Sequence, residues 1–143
     1  GMMRLLRKWE TMKSHVPAPV RRNAKRRTPD GVIYFGSTDP AMEEALHELE
    51  AAGIHLDALR VRAFPFCDEV FEFIRAHEQV FVVEQNRDAQ LKSLLVNEGG
   101  VHPARLVSVL HFDGTPITAR FIIKDITDKL QAGQASAMPE KAQ

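Results

Sequence analysis

The stretch VFVVEQNRDAQ, Val80 to Gln90, decides the fold, because it passes abruptly from an apolar run into consecutive polar residues. Such a run of β-branched and aromatic residues is typical of a strand buried on both faces, as in a parallel sheet covered by helices. The polar residues follow where the strand would end and the chain would turn into a helix. Ligands and partners of open α/β sheets bind at this carboxyl edge.

The rest of the chain repeats the same alternation of a short apolar run and an amphipathic stretch. Strands are predicted at 32–35, 56–61, 80–83 and 106–110, and helices at 39–53, 67–77, 91–99 and 118–133. Four βα units in succession indicate a three-layer α/β/α sandwich with a mostly parallel sheet. The segment 16–20, VPAPV, holds two prolines and is compatible only with extended chain or an edge strand.

Short polar residues and glycines mark the predicted helix ends. Asp39, followed by Pro40, is the predicted N-cap of the first of these helices, and Gly53 ends that helix in the left-handed conformation. Asp88 and Thr118 are the predicted caps of the last two helices. Gly133 is predicted to end the final helix.

The length and charge pattern predict one folded domain with two flanking segments. We predict a basic helix and a Pro-rich edge segment over 1–29, the α/β domain over 30–132, and a disordered tail over 133–143. A further amphipathic helix is predicted over 2–14. Residues 1–29 carry nine of the 19 Lys and Arg but a single acid, so a segment of charge +8 precedes a domain of charge −8. The basic segment either lies on an acidic surface or is simply solvated.

Composition excludes several classes of protein. The single cysteine, Cys67, cannot form an intramolecular disulfide and fits a reducing, cytoplasmic location. No apolar run is long enough to cross a bilayer. The run RRNAKRR, 21–27, could bind nucleic acid, but it has no aromatic residue to stack on bases and no recognition helix follows it, so nucleic acid is disfavoured as a partner.

Two groups of polar residues stand where a strand meets a helix, and these are the candidate site residues. Gly36, Ser37 and Thr38 precede a helix N-terminus, a position that can bind an anion or merely turn the chain. The second group follows the central strand and would face a ligand or a neighbouring domain: Glu84, Gln85, Asn86, Arg87 and Asp88.

Known catalytic and cofactor motifs are absent from the sequence. It contains no GxGxxG, no GxxxxGK[ST] and no GxSxG. The six histidines lack metal-ligand spacing, and one cysteine cannot build a zinc site or an iron–sulfur cluster. The residues themselves therefore predict no catalytic group, no metal and no cofactor held by this chain.

Four motifs in this order and spacing resemble one family: GSTDPAMEEAL (36–46), LRVRAFPF (59–66), VFVVEQNRDAQL (80–91) and SVLHFDGTPITARFI (108–122). Together with the lead-in KWETMKSHVPAP (8–19), they resemble the C-terminal domain of the alpha subunit of 2-oxoacid:ferredoxin oxidoreductases, particularly the 2-oxoglutarate type. The resemblance implies a transketolase C-terminal-like fold, a five-stranded mixed sheet with one antiparallel edge strand near 16–22. The run RRNAKRR is more basic than the family pattern.

The resemblance also implies a function. The family oxidatively decarboxylates 2-oxoacids, including 2-oxoglutarate and pyruvate, to acyl-coenzyme A with thiamine diphosphate, magnesium and iron–sulfur clusters, and other domains would hold these cofactors. This chain would then be inactive alone and would contact the remaining alpha-subunit domains and the beta subunit, with a homodimer as a further arrangement. The alternative is a stand-alone α/β module that binds a small anion or nucleotide at the carboxyl edge.

The first hypothesis makes a direct prediction for the polar cluster. If Glu84 and Arg87 face a neighbouring domain, replacing both by alanine should weaken assembly in a pull-down with the other subunits. The isolated domain should stay folded. Unfolding of the double variant would instead mean that the cluster is structural.

Overall fold

The computed structural model describes Met12 and residues 15–137, without the side chains of Ser37 and of residues 135–137. Five strands and four helices alternate along this part of the chain. In order they are β1 (Val20–Arg22), β2 (Asp30–Phe35), α1 (Asp39–Ala51), β3 (Asp57–Val61), α2 (Asp68–Arg75), β4 (Gln79–Glu84), α3 (Gln90–Gly99), β5 (Leu106–Leu110) and α4 (Ala119–Ala137). Short 3₁₀ turns at Gly36–Thr38 and Pro103–Arg105 precede α1 and β5.

The strands form one sheet in the order β1-β3-β2-β4-β5. All neighbouring pairs are parallel except β1 and β3, which are antiparallel with Val20 opposite Arg60. The two central strands, β2 and β4, are buried almost throughout, as their apolar sequences predict. The mixed sheet and its antiparallel edge strand confirm the predicted fold class.

Two apolar cores lie on opposite faces of the sheet. One joins α1 and α4 to Val32, Tyr34 and Phe81. The other joins α2 and α3 to Ile33 and Val82. Because successive strand residues point to opposite faces, each central strand supplies both cores, which makes the three-layer arrangement.

Helix α1 begins at Asp39, whereas the predicted cap at Asp39 implies Pro40 as the first helical residue. Asp39 is its first residue rather than its N-cap, and the cap position belongs to Thr38, whose side chain makes no capping hydrogen bond. The Asp39 carboxylate instead accepts a hydrogen bond from the Tyr34 hydroxyl at 3.1 Å and lies 3.5 Å from the Arg60 guanidinium. Burial raises the pKa of Tyr34 well above its usual value, and the bond to Asp39 adds to this effect. At the other end Gly53 has φ +85°, as predicted.

Helix α4 starts as predicted and ends later. The Thr118 hydroxyl oxygen accepts from the backbone N–H of Phe121 at 3.1 Å, which confirms its capping role. The helix then continues through Gly133 to Ala137, so the predicted end at Gly133 is wrong, as is a disordered tail beginning there. A helical glycine costs only about 1 kcal/mol, which the flanking turns can offset. Residues 138–143 and nearly all of the helix predicted over 2–14 lie outside the described residues.

A buried His–Asp contact fixes the amino edge of the sheet, where the parallel strands begin. His77, almost fully buried, places Nε2 at 2.7 Å from Oδ2 of Asp57 and Nδ1 at 2.7 Å from the carbonyl of Phe73. The other carboxylate oxygen of Asp57 accepts from the N–H of Ala24 at 2.8 Å. The pair therefore joins the start of β3 to the end of α2 and to the chain after β1.

Loss of this pair should destabilise the domain. Both carboxylate oxygens of Asp57 have a partner, whereas asparagine keeps only one acceptor oxygen. Asp57→Asn therefore leaves one of these two contacts unmade, which costs about 1–3 kcal/mol. We expect a drop of that size in the free energy of unfolding, measured by urea denaturation of the full chain.

A second His–Asp pair provides the control. His111 lies 3.1 Å from Asp113, whose side chain is largely exposed, so Asp113→Asn should lower the free energy of unfolding clearly less than Asp57→Asn does. Equal effects of the two substitutions would contradict the structural role assigned to Asp57.

Candidate functional site

The two predicted polar groups meet at the carboxyl edge of the sheet. Gly36–Thr38 follows β2 and the segment 84–88 follows or ends β4, and these two strands are neighbours. The chain leaves β2 toward β3 on one side and returns to β4 on the other, which makes this position the topological switch point of the sheet. The side-chain amide of Gln85 donates to the Thr38 hydroxyl oxygen at 3.2 Å, joining the two loops directly.

A cleft of about 540 Å³ opens between these loops. Its rim carries three large apolar side chains that are unusually exposed: Phe35 at 48%, Phe64 at 45% and Leu94 at 40%. They are half of the six exposed large hydrophobic residues in the described part of the chain. The remaining lining residues are Gly36, Thr38, Phe66, Val83, Glu84, Gln85, Asn86, Gln90 and Leu91. The cleft is thus an apolar depression with a polar floor on one side.

Glu84 lies in this floor and its carboxylate is used within the domain. Its exposure is only 4%. Oε1 accepts from the N–H of Leu91 at 2.6 Å and from the Asn86 side-chain amide at 3.0 Å, and Oε2 accepts from the N–H of Lys92 at 3.2 Å. Glu84 therefore satisfies the free N–H groups at the start of α3, where a negative charge is also favoured by the helix dipole.

These contacts correct one prediction. Asp88 does not cap α3, because the N-cap position is occupied by Ala89 in the left-handed conformation at φ 51°. Glu84 makes its hydrogen bonds within its own chain while it lines the cleft, and its place at an interface stays a prediction. The capping side chain, Glu84, lies six residues before the helix. A prediction that considers only polar residues next to the helix start therefore does not find it.

The other predicted residues divide between the cleft and the solvent. Asn86 lines the cleft, and its side-chain amide oxygen, Oδ1, accepts from the N–H of Gln90 at 3.3 Å. Arg87 and Asp88 do not line the cleft and form an exposed ion pair at 3.5 Å. Gly36, with φ +57°, and Thr38 line the cleft, whereas the side chain of Ser37 is outside the description.

Sequence reasoning missed the apolar rim. No role at the site was predicted for Phe64, Phe66 or Leu94. In the structure Phe64 packs edge-on against Phe66 with ring centroids 5.3 Å apart, so it has a defined place at the rim. The available signal was the unusual density of phenylalanine in a loop, FPF, because loops at a surface seldom carry two aromatic residues without a partner.

The composition of the cleft limits its chemistry. Its lining holds one carboxylate, Glu84, and no lysine or arginine, which disfavours a small anion. Across residues 12 and 15–137, no group of three or more His, Cys, Asp or Glu side chains could hold a metal ion. None of the helices there is long and apolar enough to cross a membrane. An exposed apolar rim around a shallow cleft is typical of a protein interface.

Comparison with solved structures identifies the architecture. A 2-oxoglutarate:ferredoxin oxidoreductase from Magnetococcus marinus, with 2-oxoglutarate, coenzyme A and succinyl-CoA bound, matches 85% of this chain with a TM-score of 0.74 and 20% identity. A split gene transketolase, described as an inactive β4 tetramer, matches 78% with a TM-score of 0.61 and 20% identity. The chain has a transketolase C-terminal-like fold. This agrees with the resemblance found in the sequence motifs.

A third structural neighbour consists almost entirely of the matched domain. The alpha chain of a probable 2-oxoacid ferredoxin oxidoreductase from Thermoplasma acidophilum matches 80% of this chain and 97% of its own, with a TM-score of 0.53 and 22% identity. By contrast, the domain spans only 21% of the Magnetococcus chain and 41% of the transketolase chain. No family model and no curated protein matches the sequence.

The role of Glu84 can be tested by stability. Glu84→Ala leaves the first N–H groups of α3 without an acceptor, and we expect it to lower the free energy of unfolding by about 1–3 kcal/mol. The matched control is Asp88→Ala, which removes only an exposed ion pair and should change stability by less than about 0.5 kcal/mol. Urea denaturation of both variants measures the difference; the opposite ranking would restore Asp88 as the cap.

Proposed function

We propose that this chain is a non-catalytic assembly domain of a thiamine-diphosphate-dependent 2-oxoacid:ferredoxin oxidoreductase. It would contribute to an enzyme that converts a 2-oxoacid to an acyl-coenzyme A, while other domains hold thiamine diphosphate, magnesium, coenzyme A and the iron–sulfur clusters. Two of the structural neighbours carry this enzyme's name, and the sequence motifs point to the same family. The identity to each is low, so the activity itself is part of the proposal.

The observation that carries the assembly role is the apolar rim of the cleft. Phe35, Phe64 and Leu94 come from three separate segments and surround one depression. Each exposes a large part of its apolar surface to water in the isolated chain, and burying that surface against a partner would stabilise a complex by about 25 cal/mol per Å² before the costs of association. Partners consistent with this role are the remaining alpha-subunit domains and the beta subunit.

The limited extent of the chain supports a role within a larger enzyme. The domain corresponds to about a fifth of the Magnetococcus oxidoreductase chain. The match to the Thermoplasma alpha chain covers 97% of that chain, which indicates that a domain of this fold can occur on a separate polypeptide. A chain of this kind would need binding energy of its own to join the enzyme, and an exposed apolar rim can provide it.

Substitutions at the rim test the assembly role. Phe35→Ser combined with Leu94→Ser removes two apolar side chains that are exposed in the free domain, so its melting temperature should change little. Binding to the co-expressed remaining alpha-subunit domains and beta subunit, measured by biolayer interferometry, should weaken by about tenfold or more if these residues are central to the interface.

Phe112→Ser is the matched control for the rim variant. Phe112 is 59% exposed and lies outside the cleft, so its substitution should leave binding unchanged within about twofold. Failure of the unmodified chain to bind any of the other subunits would refute the assembly role. Self-association that depends on Phe35 and Leu94, measured by sedimentation, would make the rim a homodimer contact instead.

The competing hypothesis, a stand-alone binding module, predicts a different result. A ligand at about 100 times its dissociation constant stabilises a protein by about 2.7 kcal/mol. We expect coenzyme A, thiamine diphosphate and nucleotides to leave the melting temperature of the isolated chain unchanged, because the cleft holds a carboxylate and no cation. A stabilisation that is lost in the Phe35→Ser, Leu94→Ser variant would favour the binding module.

A further inference from the structure

A second surface lies at the opposite edge of the sheet from the cleft. The basic segment, Arg21–Arg27, runs from β1 into the loop before β2, and all five of its Arg and Lys side chains are exposed. Because β1 is antiparallel to β3, the segment after it reaches the amino edge, beside Asp57 at the start of β3. The exposed positive charge is therefore concentrated where the parallel strands begin.

The backbone of this segment is held by two carboxylates. Oδ1 of Asp57 accepts from the N–H of Ala24 at 2.8 Å, and Oε1 of Glu50 accepts from the N–H of Lys25 at 3.0 Å. The hydrogen bond from Lys25 holds the pKa of Glu50 below its ordinary value, so that carboxylate stays ionised at neutral pH. Just beyond, the Thr28 hydroxyl donates to the carbonyl of His55 at 2.7 Å. The loop is thus fixed through its backbone.

The side chains of the segment are only partly used by these acids. Arg22 lies 3.9 Å from Glu50, and the Arg21 guanidinium stacks 5.2 Å above the ring of Phe73. Arg26 and Arg27 make neither an ion pair nor a hydrogen bond within the described part of the chain. The carboxylates beneath the segment are already bonded to backbone N–H groups. Fixed backbone and free guanidinium groups together form a surface suited to binding carboxylates.

We propose that the basic segment Arg21–Arg27 is a docking surface for an acidic patch on a partner protein. Four acids lie at or near the same edge of the sheet: Asp30, Glu50, Asp57 and Glu78. A phosphate backbone that extends past Arg26 and Arg27 would meet these carboxylates, whereas a small acidic patch can contact the two arginines alone. The exposed phenylalanines of the described chain, Phe35, Phe64 and Phe112, end or follow strands at the carboxyl edge, so none is available here to stack on bases.

Charge reversal of the two free arginines tests this surface. A fluorescein-labelled oligoglutamate peptide is titrated with the full chain, and binding is followed by fluorescence anisotropy at several salt concentrations. The variant with Arg26→Glu and Arg27→Glu should bind the peptide at least about tenfold more weakly, and the affinity of the unmodified chain should fall as salt rises. Both changes lie on exposed side chains, so the melting temperature should stay the same.

A control with the same change in net charge separates the segment from the charge of the whole molecule. Arg120→Glu with Lys124→Glu alters two exposed cations on α4 and should leave peptide binding within about twofold. Equal weakening in both variants, or no binding by the unmodified chain at low salt, would overturn the proposal. Tighter, Arg26- and Arg27-dependent binding of a single-stranded oligonucleotide with the same number of charges would also overturn it, in favour of nucleic acid. The experiment uses only the isolated chain and the peptide or oligonucleotide, so its result does not depend on the proposed assembly role of the cleft.

Discussion

The hydrogen bonds between the Glu84 carboxylate and the first turn of α3 are the interaction on which the shape of the cleft depends. They fix the axis of α3 relative to β4, because two successive backbone N–H groups converge on one side chain at the end of the strand. That axis places Leu91 and Leu94 among the residues that line the cleft. A buried carboxylate is costly unless its acceptors are all engaged, and here two backbone groups and an amide engage them. The hydrogen bonds of Glu84 in the polar floor therefore help to hold the apolar residues of the rim in place.

The elements could be predicted from the sequence because each has a local signal. Apolar runs marked the four parallel strands, and prolines marked the antiparallel edge strand. Thr118 caps its helix three residues away, within the range of a local pattern. Asp39 and Asp88 were assigned by the same rule and the assignment is wrong for both, because the structure uses Asp39 to bind Tyr34 and leaves Asp88 in water. A cap such as Glu84 depends on where the strand ends, which requires the fold.

The position of the candidate site could be predicted from the sequence, but the apolar nature of its surface could not. Strand order brings the loops after β2 and β4 together, so the residues chosen at these two strand ends do become neighbours, with Gln85 bonded to Thr38. The apolar character of the site depends on Phe64 and Leu94. Their exposure is decided by tertiary packing, which the periodicity of the sequence does not indicate. The position of the site follows from the strand order. The apolar composition of its surface depends instead on which side chains the core leaves uncovered.

The short edge strand β1 has a consequence for the behaviour of the chain before it meets any partner. An open sheet edge offers unpaired backbone groups to strands of other molecules and invites aggregation. Here the edge strand has only three residues, follows two prolines and carries two arginines. A second molecule could add few hydrogen bonds and would face positive charge, so this side of the sheet is protected against uncontrolled growth. The isolated chain can thereby remain dispersed.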